Sequence, residues 1–238
     1  MPPRLDDSRQ ARLRQAGISR NEIIAAFAVF FIVVAVTVPY LQHRARAANR
    51  TAALQNLRQW GIALNLYLVE NDNTLPAVGT GPADPAAWQN TLPVYLSLKP
   101  LAGQSTQAIL DAGIWTDPSV PVKPSGPPES AVTYGINAWL QPDPASPPYR
   151  IYEVEDPTAT FFLVSAPPGH LSVLPGGMAY RHGGKSGSPQ ARGQALFCDG
   201  HVEEVDPASG NRPEAAKPDA NPPARPTWIP LFNARPPQ

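Results

Sequence analysis

The chain has 238 residues, with 19 Lys and Arg balancing 19 Asp and Glu, and charged residues make up only 16% of it. Zero net charge supplies no basic stripe for a phosphate backbone, so no nucleic-acid partner is expected. The 31 prolines, about twice an average share, predict much irregular surface, and the single cysteine, Cys198, excludes an intramolecular disulfide.

The first stretch, residues 1–17, carries Arg4, Arg9, Arg12 and Arg14. Ile23 to Leu41 follows as nineteen residues without a charge. At ~1.5 Å per residue this covers roughly 28 Å, close to the ~30 Å hydrocarbon core of a bilayer, and it predicts a membrane span over 23–41. A buried core helix and a secretory signal cut near Ala47 are the competing readings. A core helix seldom runs this long without a polar face, and a signal's apolar region is usually shorter. Five arginines precede the span and Arg44, Arg46, Arg50 and Arg58 follow it, so the positive-inside rule leaves orientation open.

Beyond the span, Leu54, Leu57, Gly61, Leu64 and Leu68 recur at three- and four-residue steps, with Trp60 and Tyr67 beside them. That period predicts an amphipathic helix over 42–70 with one core-facing stripe. Asn71-Asp72-Asn73 suits a helix end, since short amides and acids tolerate left-handed backbone.

The segment Gly17-Ile18-Ser19-Arg20-Asn21-Glu22 stands directly before the span. It resembles the prepilin peptidase site of type IV pilins and type II secretion pseudopilins. The resemblance implies a leader over 1–17, cleavage after Gly17, and methylation of Ile18 as the new N-terminus. It implies that Glu22, fifth in the mature chain, pairs with a neighbouring subunit's amino terminus; an unpaired acid at the edge of an apolar span would cost several kcal/mol. Pro39 falls where many pilins carry a helix-kinking proline, and both residues would serve assembly. The partners so implied are the prepilin peptidase, other pilin or pseudopilin subunits, and the membrane. Arg20 and Asn21 interrupt the apolar opening usual in that family, which points to a minor or specialised subunit. The run from Arg50 to Pro76 narrows the resemblance to prepilin-like proteins abundant in the Planctomycetes–Verrucomicrobia–Lentisphaerae group.

Residues 71–205 form the expected head. Residues 76–130 read as loops over a core edge, anchored by Trp88, Leu92, Tyr95 and Trp115. Ala131 to Ile136 and Ala159 to Ser165 read as strands, the second one central. Asp199-Gly200, between the apolar runs of 194–205, predicts a hairpin with a two-residue type I′ turn, positive φ at both positions, and Phe197 facing Val202 towards the core.

His182, Asp199, Gly200, His201 and the residues around them resemble the family's C-terminal signature, a His, nine residues, then Asp-Gly, followed by His-Val. Here sixteen residues separate His182 from Asp199, and Lys185 to Gly193 has the look of an insertion. Two imidazoles and a carboxylate are also a conceivable metal set, but the turn accounts for Asp199 and a cross-strand pair for His201. No metal, cofactor or catalytic residue is expected. Residues 206–238 form a proline-rich tail, extended or disordered by composition, in which Trp228, Ile229, Leu231 and Phe232 are positioned to dock on the head or bind a partner.

The expected fold is α+β and pilin-like: a long N-terminal helix on a small antiparallel sheet with long loops. The expected function is a non-enzymatic subunit, processed by prepilin peptidase, anchored in the inner membrane with its head periplasmic, and assembled into a filament. The rivals are an uncleaved single-pass periplasmic binding protein and a secreted metal-dependent enzyme built on His182, Asp199 and His201.

Overall fold

The computed structural model describes residues 20–185, 187–210 and Trp228. Gly17 and Ile18 lie outside the described residues. The first element is α1, Arg20–Glu70, a single helix that runs through Pro39. Two compact units divide the chain at residues 45 and 46.

In the first unit, α1 carries no charged side chain on any face from Ile23 to Leu41. Phe27, Phe30, Phe31 and Val36 are each about three-fifths exposed, uncovered by any of the described residues. This helix is long and apolar enough to cross a membrane. Glu22 lies within it. Arg44 Nε donates to the Tyr40 hydroxyl at 3.0 Å, at a spacing of four residues.

The second unit begins with the amphipathic half of α1. Leu57, Trp60, Leu64 and Leu68 are buried, while Arg58, Gln59 and Ile62 are exposed, as the sequence period required. The helix ends where Asp72 and Asn73 adopt positive φ, 51° and 59°. Asn71 Nδ2 donates to the Tyr67 carbonyl at 2.8 Å, satisfying one of the end carbonyls.

Residues 76–130 are less irregular than their composition suggests. They contain α2 (Trp88–Thr91) and α3 (Thr106–Ala112), with a short 3-10 helix over Leu92–Leu96 between them. The Ser105 side chain accepts from Ala108 N, and Gly113 closes α3 at φ +70°. Trp88, Leu92 and Trp115 are the expected anchors and are fully or almost fully buried; Tyr95 packs at the core's edge. Trp60, Trp88 and Trp115 meet ring to ring, with centroids 4.9–6.2 Å apart.

The strands are β1 (Tyr134–Asn137), β2 (Phe161–Ser165), β3 (Ser172–Val173), β4 (Gly193–Phe197) and β5 (Val202–Val205). Their spatial order is β3-β1-β2-β4-β5, which makes β2 central as its apolar sequence required. The expected antiparallel sheet is corrected to a mixed one, because β3 pairs parallel to β1. A register shift in β2 between Phe161 and Leu163 acts as a bulge and lets Phe162 and Leu163 both join the helix-side core. The opposite face of the sheet carries Phe161, Val164, Ala195, Phe197 and Val205. A short turn of helix, α4 (Pro207–Gly210), follows the last strand. The remainder of the expected extended tail lies outside the described residues, apart from Trp228.

Candidate functional site

The Asp199-Gly200 hairpin forms, with a different turn from the one expected. Only Gly200 has positive φ, +91°. Phe197 N donates to the His201 carbonyl at 2.9 Å and Gly200 N to the Phe197 carbonyl at 3.0 Å. The loop is therefore three residues, Cys198 to Gly200, closed by a left-handed glycine. The added residue shifts the pairing, so that Leu196 faces Val202 and Phe197 stands opposite His201. Leu196 and Val202 belong to the helix-side core, whereas Phe197 turns to the opposite face. The His201 ring stacks on Phe197, 4.1 Å between centroids at 9°. Asp199 Oδ1 accepts from His201 N at 3.0 Å and contacts His201 Nδ1 at 2.6 Å.

This turn sits directly on α1. A side-chain carbon at Gly61 would stand 2.8 Å from the Gly200 carbonyl oxygen, and one at Gly200 would stand 2.6 Å from Asn65 Nδ2. Gly61 permits a backbone approach that a side-chain carbon would block, and Gly200 supplies the positive φ of the turn.

His182 does not pair with Asp199. It is 6% exposed, and its Nε2–H donates to Asp117 Oδ2 at 2.9 Å. Asp117 is fully buried. Its Oδ1 accepts from Ser119 N at 2.9 Å and from Ser119 Oγ at 2.6 Å. Arg181 Nη1 stands 3.9 Å away, an ion pair without a hydrogen bond, while Nη2 donates to the Ala166 carbonyl. Burial pushes the Asp117 carboxyl up, but the hydrogen bonds from His182 and Ser119 outweigh it and hold the group below its ordinary range. Burial lowers the Arg181 guanidinium, and the Asp117 charge opposes that shift.

Helix α1 grips the loop that carries Asp117. Trp60 Nε1 donates to the Ile114 carbonyl at 3.2 Å. Asn56 Nδ2 donates to the Gly113 and Thr116 carbonyls at 3.0 and 3.1 Å. Asn49 Nδ2 reaches the Pro118 carbonyl at 3.3 Å. On the sheet side, Arg50 makes a two-pronged pair with Glu204 of β5, and Gln194 Nε2 donates to the Arg50 carbonyl at 3.1 Å. Burial raises the Glu204 carboxyl, but the Arg50 hydrogen bond and charge override it and lower it. The same bond raises the Arg50 guanidinium.

The four residues singled out in the sequence, His182, Asp199, Gly200 and His201, thus fall into two groups. Asp199, Gly200 and His201 shape the turn beneath α1; His182 locks a strand-edge loop to the Asp117 loop. Asp117 is the residue sequence reasoning missed: Asp-Pro-Ser signals a turn, and nothing in a separation of 65 residues links it to His182. Among the described residues no group of three His, Cys, Asp or Glu is placed to hold a metal ion. Ser119 Oγ donates to Asp117 rather than to His182, and Cys198 is fully buried with its thiol pushed up by burial, so neither is an activated nucleophile. The chemistry on view is electrostatic and steric attachment of the head to α1.

Comparisons with protein-family models, with curated proteins and with solved structures find no match to this chain.

Proposed function

We propose that this chain is a membrane-anchored, pilin- or pseudopilin-like subunit with a structural rather than enzymatic role. The observation that carries the reading is α1: one uninterrupted helix, Arg20–Glu70, which carries no charged side chain from Ile23 to Leu41 and whose second half buries a stripe in the head. The junction supports it. Two glycines, an Asn ladder, an Arg–Glu pair and the loop of a buried His–Asp pair fix the head to the helix, as a subunit pulled through its helix requires. In this reading prepilin peptidase cuts after Gly17, Ile18 becomes the methylated N-terminus, Glu22 and Pro39 serve packing between helices, and the head lies in the periplasm.

The deciding experiment is mass spectrometry of the mature N-terminus from membranes of cells that contain a prepilin peptidase. The expected product starts at methylated Ile18 and disappears in Gly17→Asp. An intact Met1 start overturns the processing step and leaves an anchored protein. A start near Ala47 overturns the membrane subunit altogether.

A further inference from the structure

A cavity of about 380 Å³ opens in the head, away from the junction with α1, walled by the loop 79–82, by Gln89 of α2, by Glu129, and by residues 170–172 at the start of β3. Sites for small ligands commonly span about 300–1,000 Å³. Its walls are fixed by hydrogen bonds within the protein. Thr80 N and Ala86 N donate to the Asp84 carboxylate at 2.9 and 3.0 Å. Asn90 Nδ2 donates to the Pro82 and Asp84 carbonyls at 2.8 and 2.7 Å, and its Oδ1 accepts from Ala102 N at 2.9 Å. On the β3 side, Trp88 Nε1 donates to the Leu171 carbonyl at 2.9 Å. Walls held in this way spare a ligand the cost of ordering them.

The polar groups left over on these walls are acceptors. Gln89 is 1% exposed, and its Nε2 donates to the Gly81 carbonyl at 2.9 Å. That bond fixes the amide, since the reverse orientation would set oxygen against oxygen. Gln89 Oε1 is then buried with no partner among the described residues, whereas neighbouring Asn90 uses both ends of its amide. A buried acceptor left unpaired destabilises the empty site and favours a donor brought to it. His170 Nδ1–H donates to the Pro168 carbonyl at 3.3 Å, which leaves the lone pair of the neutral ring on Nε2. Glu129, on a short 3-10 helix over Pro128–Ala131, is the one acidic residue of the lining. It makes no ion pair among the described residues, and no Lys or Arg lines the cavity beside it. A neutral hydroxyl compound brings acceptors along with its donors. A primary ammonium brings three donors, a positive charge and no acceptor.

We propose that this cavity binds a primary ammonium group, carried by a free alkylamine or by a lysine side chain, with half-buried Glu129 balancing its charge and Gln89 Oε1 accepting one of its hydrogens. The site lies wholly within the second unit and stands whether or not the N-terminus is processed.

The test titrates the detergent-solubilised full chain with cadaverine and, separately, with Nα-acetyl-lysinamide. Binding is read by calorimetry and by the Trp88 indole N–H resonance, which reports on the wall through its bond to Leu171. The expected result is saturable binding that moves this resonance and weakens about tenfold in Gln89→Leu and in Glu129→Gln. Both probes bear the same group, so either one binding supports the site; tighter binding of the lysine derivative assigns it to a partner's lysine, and tighter binding of the diamine to free amines. No saturable binding below about 10 mM overturns the proposal. Equal binding of pentanediol, which lacks the charge, overturns the ammonium. Glu129→Gln keeps the size of a half-buried side chain, so the test stands even where Gln89→Leu, which also loses the Gly81 bond, does not fold. Unchanged affinity in Glu129→Gln places the amine elsewhere and overturns the site.

Discussion

Gly61 in α1 and Gly200 in the β4–β5 turn approach so closely that a methyl group at Gly61 would stand 2.8 Å from the Gly200 carbonyl oxygen and 3.0 Å from Leu196 Cδ1. Backbone cannot move aside as a flexible side chain can. Gly61→Ala gains up to ~1 kcal/mol of helix propensity, but the clash costs about 1–3 kcal/mol. The expected outcome is a net loss of stability, read as a lower denaturation midpoint of the detergent-solubilised chain. An unchanged or raised midpoint would show that the turn does not rest on the helix.

Gly200→Ala is expected to destabilise for a different reason. At φ +91° any side chain is strained, at roughly 1–2 kcal/mol. Its nearest neighbour, Asn65, is the end of a flexible side chain. Asn65→Ala in the same chain should therefore restore little. Full recovery in the double variant would assign the cost to crowding instead of backbone.

The histidines of the hairpin region should respond very differently. His182→Ala leaves Asp117 as a buried carboxylate without its chief partner, which typically costs about 3–5 kcal/mol. His201 is exposed at the surface, and His201→Ala should cost below ~1 kcal/mol. Thermal unfolding of the two variants side by side gives the comparison, and equal losses would refute the buried pair's importance.

The pH dependence follows from Asp117 and Glu204. Both carboxyls lie below their ordinary range when folded. A group with a depressed folded pKa contributes stability that is present above its unfolded pKa, near 4 for these residues, and is lost as pH falls through the folded value. Melting temperature should be level from pH 7 to about 5 and decline below about 4. In Glu204→Gln the acid-side decline should be shallower; an identical profile would remove Glu204 from the account.

Cys198 should be inert while the chain is folded. It is completely buried, its thiol is pushed up by that burial, and its Sγ lies 3.8 Å from the Phe161 carbonyl. Maleimide or iodoacetamide at neutral pH should modify it only as fast as the head opens, and denaturant should make the reaction rapid. Prompt labelling of native protein would contradict the buried turn.

The elements legible in the sequence were those carried by local signals. Period and polarity gave the C-terminal end of α1 at residue 70, the left-handed Asn-Asp-Asn terminus lies where short polar residues permit it, and the apolar run 159–165 proved central. Helix α3 was also legible in principle, with Ser105 before it and Gly113 after it, but the surrounding proline and glycine obscured those caps. The hairpin turn was only half legible. Asp-Gly specifies a reversal, whereas the choice between a two- and a three-residue loop depends on burial of Cys198 and on room for Gly200 against α1.

What the sequence by itself determined was therefore the long helix, its apolar and amphipathic halves, and the presence of a sheet closed by a glycine turn. These follow from side-chain periodicity and backbone stereochemistry, which act over a few residues. Only the tertiary structure decided that His182 pairs with Asp117, that Gly200 rests on Gly61, that β3 joins the sheet in parallel, and that Trp228 packs against Phe161 on its far face. Each of these joins residues far apart in the chain through burial and hydrogen bonding, and no local spacing encodes the partner that a buried polar or aromatic group will find.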